Sequence, residues 1–68
     1  MKLFLLLIED GIEPSTLGPY KTDAGRVKAA RKLRKKSDDN WVFRLNINGD
    51  AVSVTSFGAS EVDPTFQN

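Results

Sequence analysis

The first hydrophobic segment of the chain is an unbroken run at residues 3–8, apolar at both alternating sets of positions. A short apolar run bounded by turn residues predicts a strand that is buried on both faces. Residues 9–11, Glu-Asp-Gly, supply the turn chemistry that ends this strand. Residues 12–20 contain two prolines and a glycine, which predict a loop that includes at most a short returning strand at residues 15–17.

Residues 21–36 have the hydrophobic spacing of a helix. The positions that fall on one side of it, at about 100° per residue, are Val27, Ala30, Leu33 and Ser37. Thr22 and Asp23 are both suitable N-caps. With Thr22 as the cap, Asp23 lies in the first turn, where a carboxylate suits the positive end of the helix dipole. Arg26 and Arg34 border the apolar stripe and are expected to lay their aliphatic stems over it.

Alternation of side-chain character at residues 41–48 predicts a strand, and Asn48-Gly49 favours a tight hairpin turn into a second strand. A two-residue loop there would pair Leu45 with Val52 and Phe43 with Val54. The expected dry face, covered by the helix, contains Trp41, Phe43, Leu45, Ile47, Val52 and Val54. The expected wet face contains Arg44, Asn46, Ser53 and Thr55. Because Trp41 lies on the same side of the strand as these apolar residues, a core position is favoured for it over a role in stacking on bases.

The order of the strands is constrained by the apolar run at residues 3–8, because an edge strand that is apolar on both faces promotes aggregation. The segment after Gly11 folds back and pairs with it, the C-terminal stretch covers it, or two molecules pack together there. We expect the first arrangement, with a homodimer next. The prediction is an α+β domain at residues 1–57, in which one helix packs on a three- or four-stranded mainly antiparallel sheet, followed by a loose tail at residues 58–68.

Positive charge is concentrated in the predicted helix. Residues 21–36 hold eight of the ten basic residues and one acid, a net charge of +7 in a chain whose net charge is +1. The basic residues expected on the side opposite the apolar stripe are Lys28, Arg31, Lys32, Lys35 and Lys36. Such a face can neutralise phosphates. Such a face is more often a solvated helix surface, since Lys and Arg are good helix formers. This helix nevertheless forgoes the support of opposite charges four residues apart.

Composition excludes several kinds of site. The chain has no cysteine and no histidine, so disulfides, thiolate and classical zinc sites and Ser-His-Asp triads are excluded. The acids at residues 9, 10, 13, 38 and 39 do not have calcium-loop spacing and are explained as turn and helix-end residues. The apolar run at residues 3–8 is too short for a signal peptide or a membrane helix. We therefore expect no cofactor, no metal, no catalytic residue and no membrane partner, and a cysteine-free chain fits the cytoplasm.

The first half of the chain resembles a pattern in small bacterial or phage proteins of unassigned activity. The residues that carry the resemblance are Glu9-Asp10-Gly11, Glu13-Pro14, Gly18-Pro19-Tyr20, Thr22 and residues 29–34, a Gly-Pro-aromatic step before a capped basic helix. It implies a compact α+β fold and transfers no catalytic residue. The expected function is non-catalytic binding of an anionic partner, an acidic protein surface or a nucleic-acid backbone, by the basic helix. The alternative is a structural or regulatory subunit that self-associates through its sheet, with a basic face that is only solvated.

Overall fold

A computed structural model describes residues 1–62 as one four-stranded sheet with helices on one side. The elements are β1 (Lys2–Ile8), β2 (Ser15–Tyr20), α1 (Asp23–Lys36), β3 (Trp41–Asn48), β4 (Ala51–Ser56) and α2 (Ala59–Val62). The strand order is β2-β1-β3-β4, and each neighbouring pair is antiparallel. The predicted fold class, one main helix on an antiparallel sheet, is confirmed.

β1 is a central strand because the chain turns back after it and pairs with it. Gly11 has a φ of +74° in this turn, a conformation that glycine adopts without strain. Leu5 then lies opposite Leu17 of β2, and β3 pairs with the other edge of β1. The expected folding-back of the segment after Gly11 is confirmed. The returning strand is longer than residues 15–17 and continues to Tyr20.

The edges of the sheet are β2 and β4, and they differ. The pairing of β2 with β1 is irregular between Leu3 and Leu5. Opposite this irregularity Gly18 has a φ of +120°, and a Cβ there would lie 3.1 Å from the Leu3 carbonyl oxygen. Pro19 follows it. β4 is regular, and each of its six residues is exposed.

Helix α1 begins at the predicted cap. The Thr22 hydroxyl oxygen Oγ1 accepts a hydrogen bond of 3.0 Å from the Gly25 amide, and Asp23 lies in the first turn. At the other end, the Ser37 amide donates to the Leu33 carbonyl oxygen. The basic residues of the last turn interact favourably with the negative end of the helix dipole.

A small core lies between the helices and one face of the sheet. Its buried apolar residues are Leu5, Leu7, Ala30, Val42 and Val62, with Leu17, Tyr20, Ala29, Leu33 and Phe57 packed around them. Val62 belongs to α2, which forms within the stretch expected to be a loose tail. Residues 63–68 of that stretch lie outside the described residues.

The prediction of which side of the hairpin the helix covers is wrong. Helix α1 covers the side of β3 that carries Val42 and Arg44, and Trp41 is 58% exposed. Val42 and Arg44 lie opposite Leu7 and Leu5, which face the helix. The reason is that the underside of α1 includes Arg26, which is 3% exposed and needs hydrogen-bond acceptors. Only the polar side of β3 offers a side-chain acceptor to this guanidinium.

The hairpin register also differs from the prediction by two residues. Leu45 lies opposite Val54, and Asn48 lies opposite Ala51, so the loop is Gly49-Asp50. Gly49 has a φ of +60° and Asp50 does not have a positive φ, the pattern of a type II′ turn rather than type I′. Because the shift is an even number of residues, the grouping of side chains into two faces is unchanged.

Candidate functional site

The candidate site is the exposed side of α1, which we call the basic face: Lys28, Arg31, Lys32, Lys35 and Lys36. All five side chains are exposed. At 3.6 residues per turn they occupy an arc of about 140° on the helix. The underside of the same helix packs on the core through Ala30. The structure therefore brings the five predicted residues together on one surface.

The lysines of the basic face have no carboxylate partners within the described part of the chain. The salt bridges formed by residues 1–62 involve only Asp23, Arg26, Arg44 and Glu61. Asp23 is also the one acid of α1, and it lies in the first turn. The lysine ammonium groups are consequently free to meet an external anion without breaking an internal ion pair.

Arg31 differs from the four lysines because it also has a structural contact. Its Nε donates a hydrogen bond to the carbonyl oxygen of Glu61 in α2. Helix α2 packs against α1, and this bond joins the two. Arg31 still contributes charge to the basic face, but changing it would also disturb α2.

Two other arginines of α1 form hydrogen bonds within the fold. The buried guanidinium of Arg26 donates through Nη1 to the Phe4 carbonyl oxygen at 3.2 Å and to Asn46 Oδ1 at 2.7 Å. Arg34 donates through Nη1 to the carbonyl oxygens of residues 38 and 40, both at 2.8 Å. Its guanidinium also lies 4.9 Å from the centre of the Trp41 ring. The stems were expected to cover apolar surface, but their charged ends were not expected to have these partners.

A third arginine, Arg44, joins three elements of the fold. Its guanidinium donates to both carboxylate oxygens of Asp23 at 3.0 Å. It also donates to Glu61 in α2, at 2.8 and 3.3 Å, and stacks 4.4 Å from the Phe57 ring centre. Arg44 was predicted on the wet face. No local pattern indicated that its partners would come from residues 21 positions before it and 17 after it.

These contacts fix the charge state of the carboxylates. Hydrogen bonds from Arg44, and then from Arg26, lower the pKa of Asp23 from its usual 3.8 to about 2. The Arg44 guanidinium, followed by the Gly58 amide, also lowers the pKa of Glu61. The same partners, Asp23 first, raise the pKa of Arg44. Two arginines and two carboxylates thus cancel each other, and neither carboxylate forms a salt bridge with a lysine of the basic face.

A separate cleft of about 420 Å³ lies beside the start of β3. Trp41 and Phe57 are among its lining residues. Within residues 1–62 its one charged lining residue is Arg34, which already donates to two carbonyl oxygens. Sequence reasoning missed this cleft because Trp41 was assigned to the core. Within residues 1–62 no group of three or more acids is placed to hold a metal ion.

Comparison with known proteins finds no matching family model, no matching curated protein and no matching solved structure. No helix in the described part of the chain is long and apolar enough to span a membrane. The functional assignment therefore depends on the geometry of the chain itself.

Proposed function

We propose that this is a small cytoplasmic, non-catalytic binding protein whose basic face holds an anionic macromolecule. The observation that supports the proposal is the separation of charge on α1. The carboxylates Asp23 and Glu61 form salt bridges with arginines of the fold, whereas the four exposed lysines form no salt bridge within residues 1–62. A helix that serves only solubility gains stability by pairing its lysines with acids, and α1 does not do so.

The geometry of the basic face suits a repeating anion such as a nucleic-acid backbone. Residues 28–36 extend over about 12 Å at 1.5 Å per residue. A duplex carries one negative charge per about 1.7 Å of its axis, so several phosphates lie within that length. Lysines are flexible point charges without the fork that reads base edges. Binding is therefore expected to be indifferent to sequence. An acidic protein surface is the other anion that this face fits.

The test is fluorescence anisotropy with labelled duplex DNA and single-stranded RNA at low salt. Each neutralised phosphate should contribute about −0.9 to the slope of log affinity against log salt on duplex DNA. The double variant K32E/K35E should weaken binding at least about 10-fold, equally on unrelated sequences, since two attractive charges become repulsive. The matched control is K32R/K35R, which retains charge at the same positions and should bind like the parent.

Two outcomes would change the assignment. If neither nucleic acid binds at high micromolar concentration, the nucleic-acid partner is excluded. A polyglutamate probe then tests for an acidic protein surface, on which the K32E/K35E variant should chiefly slow association. Absence of binding to every polyanion would leave the basic face as a solvated surface and refute the proposal.

A further inference from the structure

The side of the sheet that faces away from α1 carries a continuous apolar surface. Directly opposed residues of antiparallel strands lie on the same side, so the register defines this surface. Its apolar residues, which we call the open sheet face, are Phe4, Leu6, Ile8, Trp41, Phe43, Leu45, Ile47, Val52 and Val54. Trp41, Val52 and Val54 are 58%, 62% and 51% exposed. Ile8 is also exposed, and the other five side chains are half-buried. A contiguous apolar patch of this extent on a soluble domain marks an interaction site.

The described chain does not cover the open sheet face. Helix α1 lies on the opposite side of the sheet, and Val62 of α2 packs with the core there. Residues 63–68 have the sequence Asp-Pro-Thr-Phe-Gln-Asn, with Phe66 as the one large apolar side chain. One phenylalanine is too small to shield side chains from three strands. Residues 1–62 therefore leave the open sheet face available to a second molecule.

The size of the open sheet face fits a dimer interface. Its three strands, about 4.8 Å apart and about seven residues long at about 3.3 Å per residue, give a flat footprint of roughly 330 Å². Two copies face to face would cover roughly 660 Å² of flat area, and more accessible surface because side chains project from it. Specific interfaces bury at least about 1,000 Å² in total. The projecting side chains therefore bring the face close to the size that stable association requires.

The charges around this face favour a second copy over other partners. By register, the polar strand residues on this side are Lys2, Thr16 and Ser56, all at its margins, and none of the paired strand residues on this side carries a carboxylate. An anionic membrane would attract the basic face, which lies on the opposite side of the molecule. An uncharged, flat face of aromatic and branched side chains instead matches its own copy, since two sheets pack about 10 Å apart with their strands nearly aligned.

We propose that the open sheet face binds a second copy of this chain, which forms a two-fold symmetric sandwich of two sheets. Both partners use the same surface in a two-fold dimer, so the assembly closes after two copies. The helices lie on the outside, and each copy keeps its basic face exposed. This dimer does not depend on the proposed binding of an anion.

Sedimentation velocity over a range of concentrations tests the dimer, with one interface variant and one matched control. The chain of 7.5 kDa should sediment as a dimer of about 15 kDa at tens of micromolar. V54K should raise the dissociation constant at least about 100-fold, because each dimer would lose two buried valines and gain two charges. S53K introduces the same lysine one residue away on β4, on the helix side of the sheet, opposite Asn46. This control should dimerise like the parent.

The single tryptophan gives an independent measurement. Trp41 lies on the open sheet face and is the one tryptophan of the chain, so its emission should move to longer wavelength when the dimer is diluted into monomers. Circular dichroism checks that each variant is folded. If V54K does not fold, V52T/V54T keeps the branched shape of both side chains and should still raise the dissociation constant at least about 10-fold.

Three results would overturn the proposal. The parent protein could remain a monomer at several hundred micromolar. It could form species that grow without limit as its concentration rises, which indicates non-specific association. Finally, V54K and S53K could dissociate the dimer equally, which indicates pairing along the edge of β4 instead of packing of the open sheet faces.

Discussion

The substitution Arg44→Met tests whether polar contacts hold the helices to the sheet. Arg44 is 18% exposed and contacts Asp23 in α1, Glu61 in α2 and the ring of Phe57. Methionine keeps much of the aliphatic stem and removes the guanidinium. The variant therefore measures the guanidinium contacts with little loss of packing.

The expected loss of stability can be worked out from these contacts. The side chain of Asp23 is 49% exposed, so its ion pair with Arg44 is given the value of a solvent-screened pair, about 1 kcal/mol at most. Stacking of the guanidinium on Phe57 adds about 0.5–1 kcal/mol. The pair with Glu61 is screened by solvent and adds little. The total is at most about 1.5–2 kcal/mol, a large share of the roughly 3–5 kcal/mol that a core of this size supplies. Tm should fall by up to roughly 10 °C.

The assay is thermal and urea denaturation followed by far-UV circular dichroism. Protein concentration has to be the same for all variants, since the proposed dimer would make stability depend on it. The control is Lys32→Met, a charge removal on the exposed side of α1, which should change the free energy of unfolding by less than about 0.5 kcal/mol. A double-mutant cycle with Asp23→Asn should give a coupling energy of up to about 1 kcal/mol. An Arg44→Met protein that melts with the parent, or zero coupling, would refute the attachment of α1 through this arginine.

Two further predictions concern pH and the core. Because the pKa of Asp23 falls from its usual 3.8 to about 2 on folding, its contribution to stability is complete above about pH 4 and is lost as the pH falls toward 2. Urea titrations at several pH values should show this loss, and Asp23→Asn should reduce it; an unchanged pH profile would contradict the assignment. Leu5→Ala, at the fully buried centre of the core, should cost about 2–5 kcal/mol, whereas Ile12→Ala, at a 59% exposed loop position, should cost under about 0.5 kcal/mol. Equal costs by urea denaturation would place the core elsewhere.

The secondary structure was largely predictable because local signals determine it. The cap at Thr22 and the apolar run of β1 each occur within a few residues of the chain. The choice of the sheet face under α1 was not predictable in this way. Trp41 and Phe43 indicated a core by their hydrophobicity, but the hydrogen-bonding needs of the buried Arg26 outweighed that indication, and its acceptor Asn46 lies twenty residues away.

In the candidate site, too, local features were predictable and tertiary contacts were not. Helical periodicity predicted which basic residues are exposed, and the lysines from Lys28 to Lys36 are exposed as expected. Sequence reasoning could not separate these lysines from Arg26, Arg34 and Arg44, which carry the same charge but serve the fold. Their partners are carbonyl oxygens and carboxylates on other elements, and only the tertiary structure brings them together.

The difference between the two edges of the sheet has a consequence for handling the protein. Pro19 and the irregular pairing at Gly18 interrupt the backbone of β2, which hinders the addition of another strand. β4 has the sequence Ala-Val-Ser-Val-Thr-Ser, with no charge and no proline, and its six residues are exposed. Backbone groups along this edge can template a strand from a partly unfolded copy. Fibrillar growth during overexpression or refolding is therefore expected from the β4 edge, where a single lysine would act as a gatekeeper.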